Sequence, residues 1–545
     1  MALYTGKVAA MKQIIHVARF YIFYFRSFLS FDMGALHRAV VFPLMLFALI
    51  VASGDCFNTN GKKNKSNNGG EGPLSVSCPT AQVPGTINTA ITQTFPSLQA
   101  IINKADPSIP VYGLYSWESY YEKGGVNNYQ QEVQQVGWAT VRIGGLYEYA
   151  DSIPDSTMIN IVNSGVEVLF TLMMKGTRRD TCSSDEDFIQ KYIAFVDKKI
   201  GKYGPEDKNG TKGSFWTGHP SLPYRPVIYW EIWNEPNEHY MYALPSSWNS
   251  VTMTQKAALY AKLLVASYDY IKAKWPSVKV VGFSASGVSR NDMWAKESPG
   301  NIGFIEMVHQ NIKTMYGNGK AANCYDILSD HPYVHCAPPD SEDIPSQWYH
   351  YSIANSHAGY REIMSRYGNG GKPVWFTEIG WHRNTGAFPA SAQPFSVSER
   401  IQAAYVCRLY MTAMRLGVER VHVMFLLDAD NFNGGFFNNQ TRAWRESARA
   451  VQTMTRIMPN PKIAGAISDG ADGYYAYRFE SNCLAQSSPI IIAAWNVAGE
   501  KNVAIPCDSG DYIVTDMLGG TIETTNEGSG INIQIGPCPV FIKKK

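Results

Sequence analysis

Two glutamates stand where extended, aromatic-rich runs of the chain stop. "VIYWEIWNEPN" (Val227–Asn237) carries apolar residues into Asn234 and Glu235, and Pro236 then forbids a longer strand. "PVWFTEIGW" (Pro373–Trp381) delivers Glu378 in the same way. Paired carboxylates suit the cleavage of a glycosidic bond. One is protonated and donates to the leaving oxygen; the other is ionised and attacks the anomeric carbon or activates water. Other residues occupy matching places at the ends of similar runs. Trp117 and Glu118 follow "VYGLYS", Arg142 lies in "WATVRIGG", His331 and Tyr333 close "DILSDHPY", and Asp428 closes "RVHVMFLLD". Arg142 is expected to hold Glu378 ionised by an opposite charge nearby. Asn234 suits a hydrogen bond to a sugar 2-hydroxyl, a contact that strengthens in the transition state. Trp381, and with less reason Trp117, could offer a flat apolar face to a sugar ring. Two glutamates near Glu235 are decoys. Glu231 alternates onto the same strand face one layer deeper and reads as a buried structural partner, whereas Glu238 falls in the following loop and is expected in solvent.

Those residues need a scaffold that brings distant strand ends together. Eight runs rich in β-branched and aromatic residues recur: Val111–Trp117, Trp138–Gly145, Val166–Met174, Val227–Glu235, Lys279–Ser286, Asp326–Tyr333, Pro373–Trp381 and Arg420–Asp428. Longer stretches with helical spacing separate them, among them Asp185–Gly204, Thr254–Pro276 and Ser398–Gly417. Ser398 reads as an N-cap and Gly417 as a C-terminal stop. Strand–helix alternation implies parallel neighbours, because these need a crossover element. Eight repeats fit an α/β fold of the (β/α)8 TIM-barrel type, whose chemistry sits at the C-terminal strand ends. The alternative, an open doubly wound sheet, would want a Gly-rich phosphate loop after its first strand, and none is present. Beyond residue 460 short strands split by Gly, Asn and Ser turns predict an all-β, sandwich-like domain. The expected division is an N-terminal extension with signal peptide over 1–55, a linker over 56–105, the barrel over 106–460 and the β-domain over 461–545.

The 545 residues are 45% hydrophobic, enough for a large core. Net charge is +2, with Lys and Arg dispersed, so no basic face for nucleic acid is expected. "AVVFPLMLFALIVA" (Ala39–Ala52) follows Arg38 and precedes small residues, the pattern of a signal peptide starting at Met33. It is short for a membrane span, although an uncleaved anchor is the alternative. The expectation is a secreted or extracytoplasmic protein that takes a carbohydrate partner and needs no cofactor or metal. Nine cysteines lack any Cys-x-x-Cys zinc spacing and suit an oxidising compartment. Cys324 and Cys336 could bridge the segment that carries His331 and Tyr333, and two of Cys483, Cys507 and Cys538 could pair. Asn64, Asn209 and Asn439 begin glycosylation sequons.

"WEIWNEPN" and "PVWFTEIGW" resemble the acid/base and nucleophile motifs of clan A retaining glycoside hydrolases. The nearest resemblance is to glycoside hydrolase family 39 and its bacterial endoglycosidase-like relatives, whose loop before strand four is similar to "GSFWTGHPSLPYRPVIYWEIWNEPN". The resemblance spans most of 106–545. It implies a (β/α)8 barrel, β-glycosidic substrates, Glu235 as acid/base and Glu378 as nucleophile. It also implies Asn234, His331 and Tyr333 around the reacting sugar. Many clan members carry Trp at the end of strand eight; this chain has "MFLLDAD", with Phe425 in its place. A transglycosylase or a non-catalytic glycan-binding barrel would share much of this pattern.

Overall fold

The computed structural model describes residues 97–104, 108–115, 130–144, 153–174, 176–238, 241, 251–287, 300–334, 336–341, 352–384, 396–428, 433–438, 440–470, 473–481, 489–497, 499–527 and 530–545. They belong to one compact unit, Gly72–Lys545. The apolar segment Ala39–Ala52, Cys56, Trp117, Glu118 and His239, and the sequons at Asn64 and Asn439, lie outside the described residues. Among the described residues no helix is long and apolar enough to cross a membrane.

The eight runs form the eight strands of a closed parallel barrel. These are β1 (Tyr112–Tyr115), β2 (Thr140–Ile143), β3 (Glu167–Leu172), β4 (Tyr229–Ile232), β5 (Lys279–Ser286), β6 (Ile327–His331), β7 (Val374–Ile379) and β8 (Arg420–Met424). Each strand pairs with its sequence neighbour, and β8 pairs with β1 to close the ring. Most strands are buried on both faces, which is why they read as continuous apolar runs without alternation. The helices end as the capping signals predict. The Ser398 hydroxyl accepts from the Ile401 N–H at the start of Glu399–Leu416, and Gly417 takes a left-handed φ of 76° after it. Thr252 and Gln255 form a reciprocal capping box ahead of Met253–Lys274.

Beyond the barrel lie two antiparallel sheets. The larger joins β9 (Lys462–Asp469), β10 (Tyr474–Glu480), β11 (Ile490–Asn496), β13 (Tyr512–Thr515), β14 (Thr521–Ile522) and β17 (Val540–Lys544), in the order β9-β10-β11-β17-β13-β14. The smaller places β16 (Gly530–Ile535) between β12 (Lys501–Pro506) and β15 (Thr525–Glu527). Ile492, Ala494 and Ile542 face Val503, Ile505, Ile531 and Ile533 in a core between the sheets. Ile491, Ala493, Trp495 and Phe541 point the other way and join the main core of the barrel. β11 is therefore buried on both faces, whereas β12 alternates buried and exposed residues.

The cysteine expectations need correction. Cys324 is a free thiol buried in the core, while Cys336 is disulfide-bonded, so the two do not bridge each other. Cys507 and Cys538 are also free, and Cys483 lies outside the described residues. The segment after β6 is held by other means. The Gly287 N–H donates to the His331 carbonyl at 2.8 Å, an approach a Cβ would block, since it would meet that oxygen at 2.6 Å. Further along, the carboxylate of Asp340 takes the Arg408 guanidinium on both oxygens. Asp340 also accepts from Trp495 Nε1–H of β11, and its carbonyl accepts the Tyr475 hydroxyl of β10 at 3.0 Å.

Candidate active site

Arg142, at the C-terminal end of β2, organises the barrel mouth. Its Nε donates to Glu231 Oε2 at 2.7 Å, its Nη1 to Glu378 Oε2 at 2.9 Å and its Nη2 to Asn234 Oδ1 at 2.7 Å. The Tyr115 ring lies beneath the guanidinium, 4.6 Å away. Burial opposes the charge, but Glu231, Tyr115 and Glu378 together hold Arg142 above its ordinary range.

The chain around Glu235 departs from a plain strand. β4 ends at Ile232, and then Trp233 and Glu235 both adopt positive φ, 70° and 47°. Each such residue costs on the order of 1–3 kcal/mol, and such residues cluster at functional sites. Trp233 swings outward into the helix layer against Phe188 and Tyr192, which frees Asn234 to turn toward Arg142. The Glu235 N–H is anchored on the Ser284 carbonyl at 3.1 Å. Its carboxylate Oε1 lies 3.1 Å from His331 Nδ1.

Glu378, near the end of β7, accepts the Tyr333 hydroxyl on Oε1 at 2.6 Å and Arg142 on Oε2. The Tyr333 hydroxyl also touches Met424 Sδ. Burial, with help from Glu378 beside it, keeps the Tyr333 phenol well above its ordinary range, so Tyr333 stays a donor. Burial pushes the Glu378 carboxyl up. His331 and Arg142 pull it down and Glu235 pushes it up further, with a raised value as the outcome. Arg142 thus does not lower the Glu378 carboxyl as its charge alone would suggest, because burial outweighs it. His331 is fully buried, and burial drives its ring down to about 4, so it is neutral at ordinary pH. Its other nitrogen, Nε2, has no hydrogen-bond partner.

Five residues singled out from the sequence therefore meet in one network with Arg142: Asn234, Glu235, His331, Tyr333 and Glu378. Trp381 lies apart from it. Its Nε1–H donates to the Ala337 carbonyl at 3.0 Å, its ring meets Tyr405 edge-on, and 1% of it is exposed. Phe425 is 2% exposed and packs against Tyr115 at 5.3 Å, beside the network. Asp428 serves the scaffold, taking Arg383 on Oδ1 and Arg445 on Oδ2. Glu238 is buried and not solvated, because its loop folds back toward Lys256, whose ammonium donates to the Asn237 carbonyl at 2.9 Å. Sequence reasoning passed over Thr171, whose hydroxyl donates to Glu231 Oε2 at 2.8 Å, and Tyr115. Both lie at the C-terminal ends of their strands, and that position was the available signal.

One ligand-type atom each of Glu235, His331 and Glu378 lies within 4.8 Å of the others. A cation held there would face the Arg142 guanidinium, which already occupies Glu378 Oε2. The arrangement instead suits two carboxylates acting on opposite sides of one bond.

By sequence, no family model and no curated protein matches the chain. By structure it is similar to a family 39 glycoside hydrolase from the gut symbiont Bacteroides cellulosilyticus WH2, at 15% identity and TM-score 0.52, over 81% of this chain and 82% of that one. It is also similar to an alpha-L-arabinofuranosidase from Thermotoga maritima, at 11% identity and TM-score 0.52, over 81% and 97% of the two chains. The overlap with both reaches well beyond the barrel strands. At these identities the likeness is one of fold: the chain shares with them the eight-stranded parallel barrel that carries its carboxylate pair.

Proposed function

We propose that this chain is a retaining glycoside hydrolase that cleaves β-linked oligo- or polysaccharides by double displacement. One observation carries the reading: Glu235 and Glu378 bring carboxylate oxygens within 4.8 Å of each other. Inverting enzymes separate their carboxyl groups by about 6.5–9.5 Å to admit a water, while retaining ones hold them about 5–5.5 Å apart. The spacing favours direct attack.

In this reading Glu378 attacks the anomeric carbon. The bond to the leaving oxygen breaks, its electron pair stays on that oxygen, and Glu235 supplies the proton. Water then attacks the glycosyl-enzyme, Glu235 takes its proton, and Glu378 departs as a carboxylate. Arg142 and Tyr333 hold the two oxygens of Glu378, which aims the nucleophile and steadies the carboxylate when it leaves. Neutral His331 with its proton on Nδ1 can donate to ionised Glu235, which steadies that carboxylate between the two steps. With Oδ1 turned to Arg142, Asn234 keeps its amide N–H groups for a sugar hydroxyl.

A 2-fluoro glycoside that traps the intermediate, followed by peptide mass mapping, tests the assignment. The sugar mass is expected on the peptide holding Glu378, and NMR of early product is expected to show retained configuration. A label elsewhere or an inverted product overturns it. Failure to turn over any of a panel of aryl glycosides and polysaccharides would favour a glycan-binding protein.

A further inference from the structure

We propose that Glu231 is a positioning residue that sets the proton affinity of Glu378 through the guanidinium they share. The inference rests on Glu378 being the nucleophile. Glu231 lies one layer below the catalytic pair and is wholly buried, so substrate cannot touch it. Yet it takes the larger share of Arg142: Nε and Nη2 approach its Oε2 at 2.7 and 2.6 Å, and only Nη1 reaches Glu378.

A nucleophilic carboxylate beside an undivided cation would be a weak base. Opposite charge lowers a carboxyl pKa by about 1–3 units, and nucleophilicity falls with it. Glu231 divides that cation. It also pins the planar fork, so that the remaining N–H groups aim upward at Glu378 and Asn234. The groups that face Glu231 fit this division. Arg142 comes from β2, Thr171 from β3, His331 from β6 and Thr377 from β7. Burial works against its charge, but Arg142 and His331, with the Thr171 hydroxyl, hold the Glu231 carboxyl below its ordinary range, so it stays ionised. Tyr192 and Tyr260, from the helices outside, add no charge, because burial keeps both phenols protonated. On the far side Arg142 meets Tyr115 of β1, and burial together with Arg420 and Arg142 keeps His422 of β8 neutral. Glu231 and Glu378 are thus the two anions competing for one buried cation, with Glu235 beyond Glu378.

The test is the acid limb of kcat/KM against pH, which reports the free enzyme. In Glu231→Gln the undivided Arg142 should move that limb down by about one unit. The plateau kcat should fall as the nucleophile weakens, with little change in KM. Thr171→Val gives the opposite sign. It removes a donor from Glu231 Oε2, strengthens the hold of Glu231 on Arg142, and should move the limb up by less. A purely structural role would lower activity in both variants without moving either limb. Limbs that stay in place, or that move together, overturn the proposal. If Glu231→Gln does not fold, Thr171→Val decides alone, and an unmoved or lowered limb overturns it. Trapping with the 2-fluoro glycoside in the unaltered enzyme separates the two layers. A label off Glu378 defeats the parent reading, whereas a label on Glu378 with unmoved limbs defeats only this inference.

Discussion

Among the buried arginines that face carboxylates, Arg142 and Arg408 are used in opposite ways. Arg142 divides its donors among Glu231, Glu378 and Asn234, next to a histidine whose second nitrogen has no partner. Arg408 gives both its Nε and its Nη2 to one acid, Asp340, which Trp495 also serves. The first cluster keeps competing acceptors around one cation, so a proton moved on one carboxyl is felt by the others. The second is saturated, one cation to one anion, and ties the segment after β6 to the Glu399–Leu416 helix and to β11. Burial alone therefore does not distinguish the proposed reactive cluster from the structural one; how the charge is divided does.

The contrast can be broken from the reactive side first. Glu378→Gln is expected to lose activity on the order of 10⁴-fold or more on every substrate, because no leaving group bypasses a missing nucleophile. Its circular dichroism and melting curve should stay close to those of the unaltered protein. Glu235→Ala should lose about 10²–10⁴-fold on poor leaving groups and far less on activated aryl glycosides. Azide should partly restore it and yield a glycosyl azide of retained configuration. Equal losses on both substrate types would remove the acid role from Glu235.

From the structural side, Asp340→Asn strips the charge facing Arg408 and should cost about 3–5 kcal/mol in chemical denaturation. The variant should keep the acid limb of kcat/KM in place while the denaturation midpoint falls. A shifted limb with unchanged stability would show that the two clusters are coupled. The smallest effect concerns acid. His331 is held down to about 4, so folding gains from keeping it neutral above its unfolded value of about 6.5. That stability is fully present above about 6.5 and is lost as pH falls toward 4. At pH 5 the loss comes to about 2 kcal/mol. Glu378 acts with the opposite sign: its raised carboxyl favours the folded state below the unfolded glutamate value and loses that contribution as pH rises through its folded value. His331→Gln should therefore flatten the fall in melting temperature between pH 7 and 5. An identical slope would contradict the neutral assignment.

Much of this was legible because barrel strands are short, apolar runs and their ends are marked by polar residues. The pairing of Glu235 with Glu378, and of Glu378 with Arg142, follows from strand ends alone. Other features were not legible because they depend on tertiary contacts. The positive φ at Trp233 and Glu235 breaks the two-residue alternation, and no local glycine announces it. Glu238 is buried because its loop folds back toward a lysine in the next helix. Cys324 and Cys336 sit at a spacing that suggested a bridge, but Cys324 follows the Asn318–Ala321 helix and points into core. Trp381 shares the strand-end position of a sugar platform, and only the packing of Tyr405 and Ala337 around it shows how little of its ring is exposed. The raised Glu378 carboxyl is beyond sequence reading for a similar reason, since it follows from burial outweighing a charge whose presence the sequence does reveal.

β11, with Ile491, Ala493 and Trp495 in the barrel core and Ile492 and Ala494 in the sheet core, is a wall common to both parts. That has a consequence for biosynthesis. Phe541 of β17 lies in the same wall, more than a hundred residues after β8 closes the barrel. At about 5–20 residues per second, a ribosome takes roughly 6–23 seconds to make that stretch. Until β9 to β11 and finally β17 are made, a nascent barrel displays an apolar flank whose cover is incomplete. Translation in a system stripped of holding chaperones should then give aggregates that form before synthesis ends, whereas the finished chain, once released, buries the flank within its own length.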